Sequence, residues 1–349
     1  MKFLHVVCVL FLSIVVSVVG QTNQSAFFRI SSPSYAVITG FDPVAGTLTC
    51  SNAMAGVTNQ LQRSYDLAGT SNWVDFIQLA SNSLVITETI IDLDAPEGMA
   101  FIPGGIFQMG DTFMEGDSDE LPVHSVYVSG FHMDKHEVTK ALWDEIYNWA
   151  VTNGYSFEHA GSGKAANHPV HKVSWYDCAK WCNARSEMEE RMPCYDLSTW
   201  SCNFNANGYR LPTEAEWEKA ARGGLNSKRY GWGDLISHSD ANYDLDPVYN
   251  VGGFPYSSPV GSFAPNGYGL YDMVGNMWEW CGDWYDDAYY GSSPSSNPRG
   301  ASTGSSRVGR GGCWIFGAGY CSSADRLGYA PETSTHLHVG FRSVLPDNP

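Results

Sequence analysis

The run Arg210-Leu211-Pro212-Thr213-Glu214-Ala215-Glu216-Trp217-Glu218-Lys219-Ala220-Ala221-Arg222-Gly223-Gly224 carries both ends of one short helix. Thr213 and Glu216 form a capping box: the Thr213 hydroxyl accepts the N3 amide while Glu216 reaches back to the cap amide. Gly223 supplies a left-handed stop after the basic Lys219 and Arg222. A helix closed off this tightly is structural, and the rest of the chain offers few others. With 36 glycines and 12 tryptophans against 16% charged residues, turns held by aromatic packing are expected to outnumber long helices.

Two more helices are legible. Thr139 is expected to begin one with Leu142, Ile146 and Trp149 on one face, and Ser174, with Asp177 three residues on, to begin another running through Trp181 towards Glu189. Upstream, Phe101-Ile102 and Ile106-Phe107-Gln108-Met109 bracket Pro103-Gly104-Gly105 and read as a hairpin, followed by a strand in which Val126 and Val128 alternate. No repeat of solenoid length is present. From Gln21 to about Pro96 short alternating pieces such as Tyr35-Ala36-Val37-Ile38 and Thr47-Leu48-Thr49 suggest a small β module. Turn chemistry from Ile90 to Glu97 marks its boundary, giving a module over 21–97 and a second domain over 98–349.

The first 20 residues have a basic Lys2, an apolar run from Val6 to Val19 and a small Gly20, the pattern of a signal peptide. That run is near the lower limit for crossing a bilayer and no stop-transfer charges follow it, so the mature chain is expected to be secreted or periplasmic, without a membrane anchor. Loss of the leader removes Cys8 and leaves eight cysteines: Cys50, Cys178, Cys182, Cys194, Cys202, Cys281, Cys313 and Cys321. An even number in an exported chain permits disulfides, with Cys194 and Cys202 the most local pair, and the spacings match no zinc site. A formal charge of −17, from 37 acidic and 20 basic side chains, would repel phosphate backbones and argues against nucleic acid as a partner. Some of those carboxylates are candidates for ligating calcium.

Eight blocks in order resemble the formylglycine-generating enzymes, also called sulfatase-modifying factors. They are Ile102-Pro103-Gly104-Gly105, His168-Pro169-Val170, Val173-Ser174-Trp175, the Arg210–Glu218 run, Asn266-Gly267-Tyr268-Gly269-Leu270-Tyr271-Asp272, Gly275-Asn276-Met277-Trp278-Glu279-Trp280, Arg310-Gly311-Gly312 and Gly340-Phe341-Arg342. The match spans about residues 98–345. It implies an α+β fold, a loop-rich variant of the C-type-lectin-like architecture with few helices, preceded here by the small all-β module.

The resemblance also implies metals. Asp272 and Glu279 would give carboxylates to calcium while Gly275 and Met277 give main-chain carbonyls, a set of hard oxygen donors that suits this ion. A second calcium site would use Asn242 with the carbonyls of Tyr243 and Phe254. Its acidic position is occupied by Gly252, leaving Asp244 or Asp246 as substitutes.

Family members hold copper(I) on two cysteines five residues apart, joined by the thiolate of the substrate cysteine, and oxygen converts that cysteine to an aldehyde. Soft thiolates select copper(I), which gives the arrangement its chemical logic. Here the second cysteine matches Cys321, but the first falls on Phe316, which cannot ligate copper. Cys313 stands where the family has a serine and His338 where it has an asparagine, while Trp278 keeps the place of the active-site tryptophan. Three functions follow as expectations. One is a secreted oxidoreductase making formylglycine in sulfatases, with Cys321, Cys313 and Trp278 at its centre. Another is a noncatalytic, calcium-stabilised module presenting a pocket near Trp278, Trp314 and Tyr320 to a peptide, protein or glycan, and the residues favour it. The last is an oxidase of altered metal chemistry on Cys313 and Cys321, with His336 or His338. A disulfide from Cys321 to Cys281 would remove both oxidases.

Overall fold

In the computed structural model, residues 96–251, 253–332 and 336–347 are described in full, and eight strands are described by their backbone within 4–89. The chain divides into two compact units, 1–97 with 223–225 and 98–222 with 226–349.

The first unit contains β1 (Leu4–Val9), β2 (Ser13–Val19), β3 (Ser25–Ser31), β4 (Val37–Asp42), β5 (Thr47–Ser51), β6 (Asn59–Ser64), β7 (Val74–Leu79) and β8 (Val85–Thr89). They form two antiparallel sheets, β1-β2-β3-β6-β7 and β4-β5-β8. The segment read as a leader thus carries two strands in the unprocessed chain. Tyr35 and Ala36 lie outside the described residues.

The second unit is loop-rich α+β, as the resemblance implies. Its strands are β9 (Met99–Ile102), β10 (Gly105–Met109), β11 (His124–Val128), β12 (Phe131–Asp134), β13 (Trp278–Trp284), β14 (Arg307–Arg310), β15 (Arg326–Tyr329), β16 (Val339–Gly340) and β17 (Val344–Pro346). The expected hairpin over 101–110 does not form. β9 pairs with β12, and β10 pairs with β11, so Pro103 and Gly104 carry the chain from one sheet to another. Pro103 has no N–H to give to a ladder, which suits a crossing point.

Three helices complete the unit: α1 (Lys140–Thr152), α2 (Trp175–Met188) and α3 (Glu214–Ala221). Each starts on a side-chain cap: Thr139 accepts from Leu142 N, Ser174 from Asp177 N and Thr213 from Glu216 N. Asp177 and Glu216 answer as capping boxes. The buried face of α1 is Trp143, Ile146 and Ala150, one residue round from the expected face, and Leu142 and Trp149 are only partly covered. Trp143 and Trp181 stack with centroids 6.1 Å apart, and Phe341 meets both edge to face. Trp175, Trp278 and Trp280 close the same core.

A lattice of buried ion pairs runs beside it. Glu214 takes Arg326 through both oxygens, at 2.7 and 2.9 Å, and Glu218 takes Arg222 and Arg310. Arg210 grips the Glu216 of the α3 cap with two bonds, at 2.6 and 2.7 Å. Such pairs offset the cost of desolvating their charges through short, mostly two-pronged hydrogen bonds, although Arg310 Nε is left without a partner.

The seven cysteines of this unit are free thiols. Cys194 and Cys202 hydrogen-bond to each other as thiols, and Cys194 Sγ also donates to Gly208 O at 3.3 Å. Cys281 and Cys321 do not meet as a disulfide either: Cys321 packs with Tyr230, Ala241 and Val274, while Cys281 sits on β13 with its carbonyl accepting the Trp175 indole. Cys50 lies among the strands described by backbone alone. Among the described residues no helix is long and apolar enough to cross a membrane.

Candidate functional site

The turn from Asp272 to Met277 feeds β13, the strand that pairs antiparallel with β14 and parallel with β16. Asp272, Gly275 and Asn276 all have positive φ, at 55, 75 and 59°. A side chain on Gly275 would collide with the Asn242 carbonyl, so only glycine lets the turn pass.

Asn276 is the hub. Its N–H donates to Asn242 O at 2.7 Å, its Oδ1 accepts Ser258 N at 2.9 Å and Asn242 Nδ2 at 3.3 Å, and its Nδ2 donates to Glu137 Oε2 at 2.8 Å. Around it, Asp272 Oδ1, Glu137 Oε1, Asn242 Oδ1 and Ser258 Oγ are buried without a partner. Burial, and the neighbouring Asp272 and Glu279 charges, push the Glu137 carboxyl well up. Burial pushes Asp272 up to about 6 against the Gly261 N–H that its Oδ2 accepts. Glu279 is differently placed. Arg342 binds its two oxygens at 2.7 and 2.8 Å, and the Trp217 indole donates at 2.7 Å.

The calcium donors read from the sequence therefore divide. Asp272 has an oxygen open beside the turn formed by Gly275 and Met277, while Glu279 is spent on Arg342 and Trp217. The open acid next to Asp272 is Glu137, which sequence reasoning missed because it lies 135 positions away, just before α1. Two carboxylates with open buried oxygens suit a hard cation. Among the described residues no group of three or more His, Cys, Asp or Glu is arranged to hold a metal, so main-chain carbonyls would have to complete the shell.

At the second calcium position Asn242 is buried with Oδ1 open, and its Nδ2 is held by Tyr256 O at 2.9 Å. Tyr243 O accepts Asp246 N at 3.2 Å, and Phe254 is 63% exposed. Gly252 lies outside the described residues. Of the two substitutes, Asp246 is the buried one with an open oxygen: Oδ1 accepts Val248 N and Tyr249 N, and Oδ2 has no partner.

The thiol loop leaves β14 through Gly311 and Gly312. Gly312 has φ 74°, and a Cβ there would stand 2.7 Å from Cys321 Sγ, so the second glycine makes room for the sulfur. The N–H groups of Cys313 and Gly275 lie near Cys321 Sγ and those of Ile315 and Phe316 near Cys313 Sγ, while Cys321 Sγ donates to Gly317 O at 3.9 Å. Nearby N–H groups favour thiolates, yet burial outweighs them: Cys313 is pushed up to about 12 and Cys321 is pushed up as well. Both are thiols at neutral pH. The Trp278 indole faces Cys313 without forming a bond of good geometry, and Trp314 Nε1 is likewise unpartnered.

Phe316 packs its ring against Trp278, Tyr320 and His338, with centroids at 6.2, 5.2 and 5.9 Å. His336 and His338 stack at 4.9 Å, and burial together with His336 lowers His338 to about 4. Phe254 and Tyr256 lean on Trp314, at 5.6 and 5.4 Å. Phe254, Ile315 and Tyr320 leave apolar surface exposed along this edge. The donor set does not fit a two-cysteine copper(I) site in the family arrangement, because an aromatic ring stands at one ligand position.

The family description "Sulfatase-modifying factor enzyme 1-like domain" matches residues 91–346. This chain belongs to that family. It is 33% identical over 305 residues to the formylglycine-generating enzyme of Thermomonospora curvata, covering 70% of this chain and 92% of that one. Among solved structures, Treponema denticola variable protein 1 superposes with a TM-score of 0.58 at 29% identity, covering 71% of this chain and 94% of the other. PvdO from Pseudomonas aeruginosa gives 0.58 at 26% identity, with 71% and 93% covered.

Proposed function

We propose that this family member is an exported, calcium-stabilised, noncatalytic binding module whose aromatic edge around Trp278, Trp314, Phe316 and Tyr320 receives a peptide, protein or glycan. One observation carries the reading: Phe316 stands at the position of a copper cysteine and is packed into neighbouring rings rather than left beside an open metal position. Exposed Phe254, Ile315 and Tyr320 add the apolar surface a ligand would cover. Calcium, held by Asp272 and Glu137 with the carbonyls of Gly275 and Met277, and by Asn242 and Asp246 in the second loop, would tie these loops to the framework. The apolar leader over 1–20 directs the chain out of the cytoplasm.

A formylglycine-generating oxidase is the competing reading, and a specific observation favours it: Cys321 is a free, buried thiol in no disulfide. The test is to incubate purified protein with copper(I), oxygen and a cysteine-containing sulfatase peptide and to follow the peptide by mass spectrometry. The binding-module reading predicts unchanged peptide mass. Aldehyde that accumulates with wild type and vanishes in Cys321→Ser would replace it with the oxidase.

A further inference from the structure

A cavity of about 290 Å³ opens beside the Gly110–Gly116 loop, at the small end of the range for ligand pockets. Its wall mixes acids, bases and the rings of Phe113 and Tyr230, but the charges are not evenly matched. Arg222 is committed to Glu218, Arg229 binds Glu115 through two nitrogens, and Lys228 sits 2.6 Å from Asp234. Asp111 spends both oxygens on the N–H groups of Phe113, Glu115 and Gly116.

Glu120 has no such match. It is 2% exposed, the one hydrogen bond of its side chain among the described residues is from Asp117 N at 3.1 Å, and no cation of the described residues lies within ion-pair distance. Behind it Asp325, 8% exposed, leaves Oδ1 without a partner and has no ion pair among the described residues either. The nearby Arg310 is turned away: it serves Glu218 and the carbonyls of Ser323, Ala324 and Asp325. Asp119, next in sequence but not part of the cavity wall, takes the Tyr285 hydroxyl at 2.7 Å. Two buried carboxylates that form no ion pair among the described residues, with Arg310 acting on them only at a distance, are costly unless a proton or something cationic joins them.

We propose that this cavity binds a small organic cation, with an ammonium or guanidinium head on Glu120 and Asp325 supporting it from behind. Its chemistry favours an organic ion over a metal. A hard metal ion wants six to eight oxygens, whereas of the acids here Asp111 already has both oxygens taken by main-chain N–H groups and Glu115 is bound by Arg229. Phe113 and Tyr230 line the cavity instead, and the Arg229 guanidinium already lies 3.8 Å from the Phe113 ring centroid, the kind of contact that rings make with guanidinium groups. The inference stands apart from the binding-module reading, since it uses none of the residues of the aromatic edge.

The test is calorimetric titration of the full chain at pH 7.5 and low salt with agmatine, which carries both head groups, and with butylammonium, which carries one. Butyrate and calcium chloride serve as controls. One agmatine per chain is expected, with affinity falling about tenfold in Glu120→Gln and in Asp325→Asn, as for a lost charged hydrogen bond, and unchanged in Glu332→Gln. Butylammonium should bind if the ammonium suffices and fail if the guanidinium is required. The proposal is overturned if wild type takes up neither cation at millimolar concentration. It is overturned too if both acid variants bind as tightly as wild type, or if calcium saturates the site and Glu120→Gln abolishes that.

Discussion

The ion pairs around α3 and the acids flanking Asn276 and lining the Glu120 cavity are equally buried and quite differently served. Around α3, Glu214, Glu216 and Glu218 each meet an arginine, and across the turn Glu279 meets Arg342. Around Asn276 and at the cavity, Glu137, Asp272, Glu120 and Asp325 keep oxygens or whole charges unmatched. A matched buried pair is architecture that must be present for the strands to stack. An unmatched buried acid is a position that calls for a proton or a bound cation.

The largest effect expected on the matched side is from Arg310→Met. It takes away one of the two arginines of Glu218 and the donors to three carbonyls in a site with no exposure, and urea unfolding should show a loss of about 4 kcal/mol. A loss below about 1 kcal/mol would mean that the lattice is ornament and the comparison empty.

On the unmatched side the sign reverses with pH. Burial pushes Glu120 up to about 7, so between its ordinary value of 4.5 and 7 the unfolded chain gives up this proton first and folding loses stability as pH rises. His136, His171 and His338, lowered to about 4 by burial, work the other way between 4 and 6.5, so the informative quantity is a difference. In ligand-free protein Glu120→Gln should match wild type near pH 4.5 and exceed it by about 2–3 kcal/mol at pH 7.5. Equal stability at both pH values would show Glu120 to be already neutralised.

Calcium should act through the Asn276 turn. Chelation of a sample holding calcium at a hundredfold excess over its dissociation constant should cost about 2.7 kcal/mol, read as a lower melting temperature. Glu137→Gln should lose most of that dependence and Glu332→Gln none of it. The smallest effect belongs to the thiol loop: Cys313→Ser and Cys321→Ser should each cost about 1 kcal/mol. Native protein should resist iodoacetamide at these two residues at pH 7.5 and react once unfolded, because burial holds both as thiols.

What was legible in the sequence follows the range of the forces involved. The α2 and α3 boundaries were readable because a cap is a bond between residues three apart, and Ser174 with Asp177 and Thr213 with Glu216 form as the text implies. The 101–110 hairpin was misread because turn chemistry is local while strand partners are not: the partners of β9 and β10 begin 29 and 15 positions past their ends. The face of α1 slipped by one residue since Trp143 finds its partners in Trp181 and Phe341, which periodicity does not reveal. Glu137 and Asn276 were invisible as a unit for the same reason, although the sharp turn at Gly275-Asn276 could have been suspected from an asparagine after a glycine. The cysteine count suggested bridges that packing does not make, because Cys178, Cys182 and Cys281 are absorbed as small apolar groups.

The claim on which the functional reading rests is that Phe316 cannot stand in for a thiolate. It is tested most directly by equilibrating wild type, Cys321→Ser and Phe316→Cys with copper(I) under a competing chelator and measuring bound metal per chain. The account predicts no thiolate-bound copper in wild type and about one ion per chain gained by Phe316→Cys, as two soft ligands become available. One copper per wild-type chain, lost in Cys321→Ser, would contradict it.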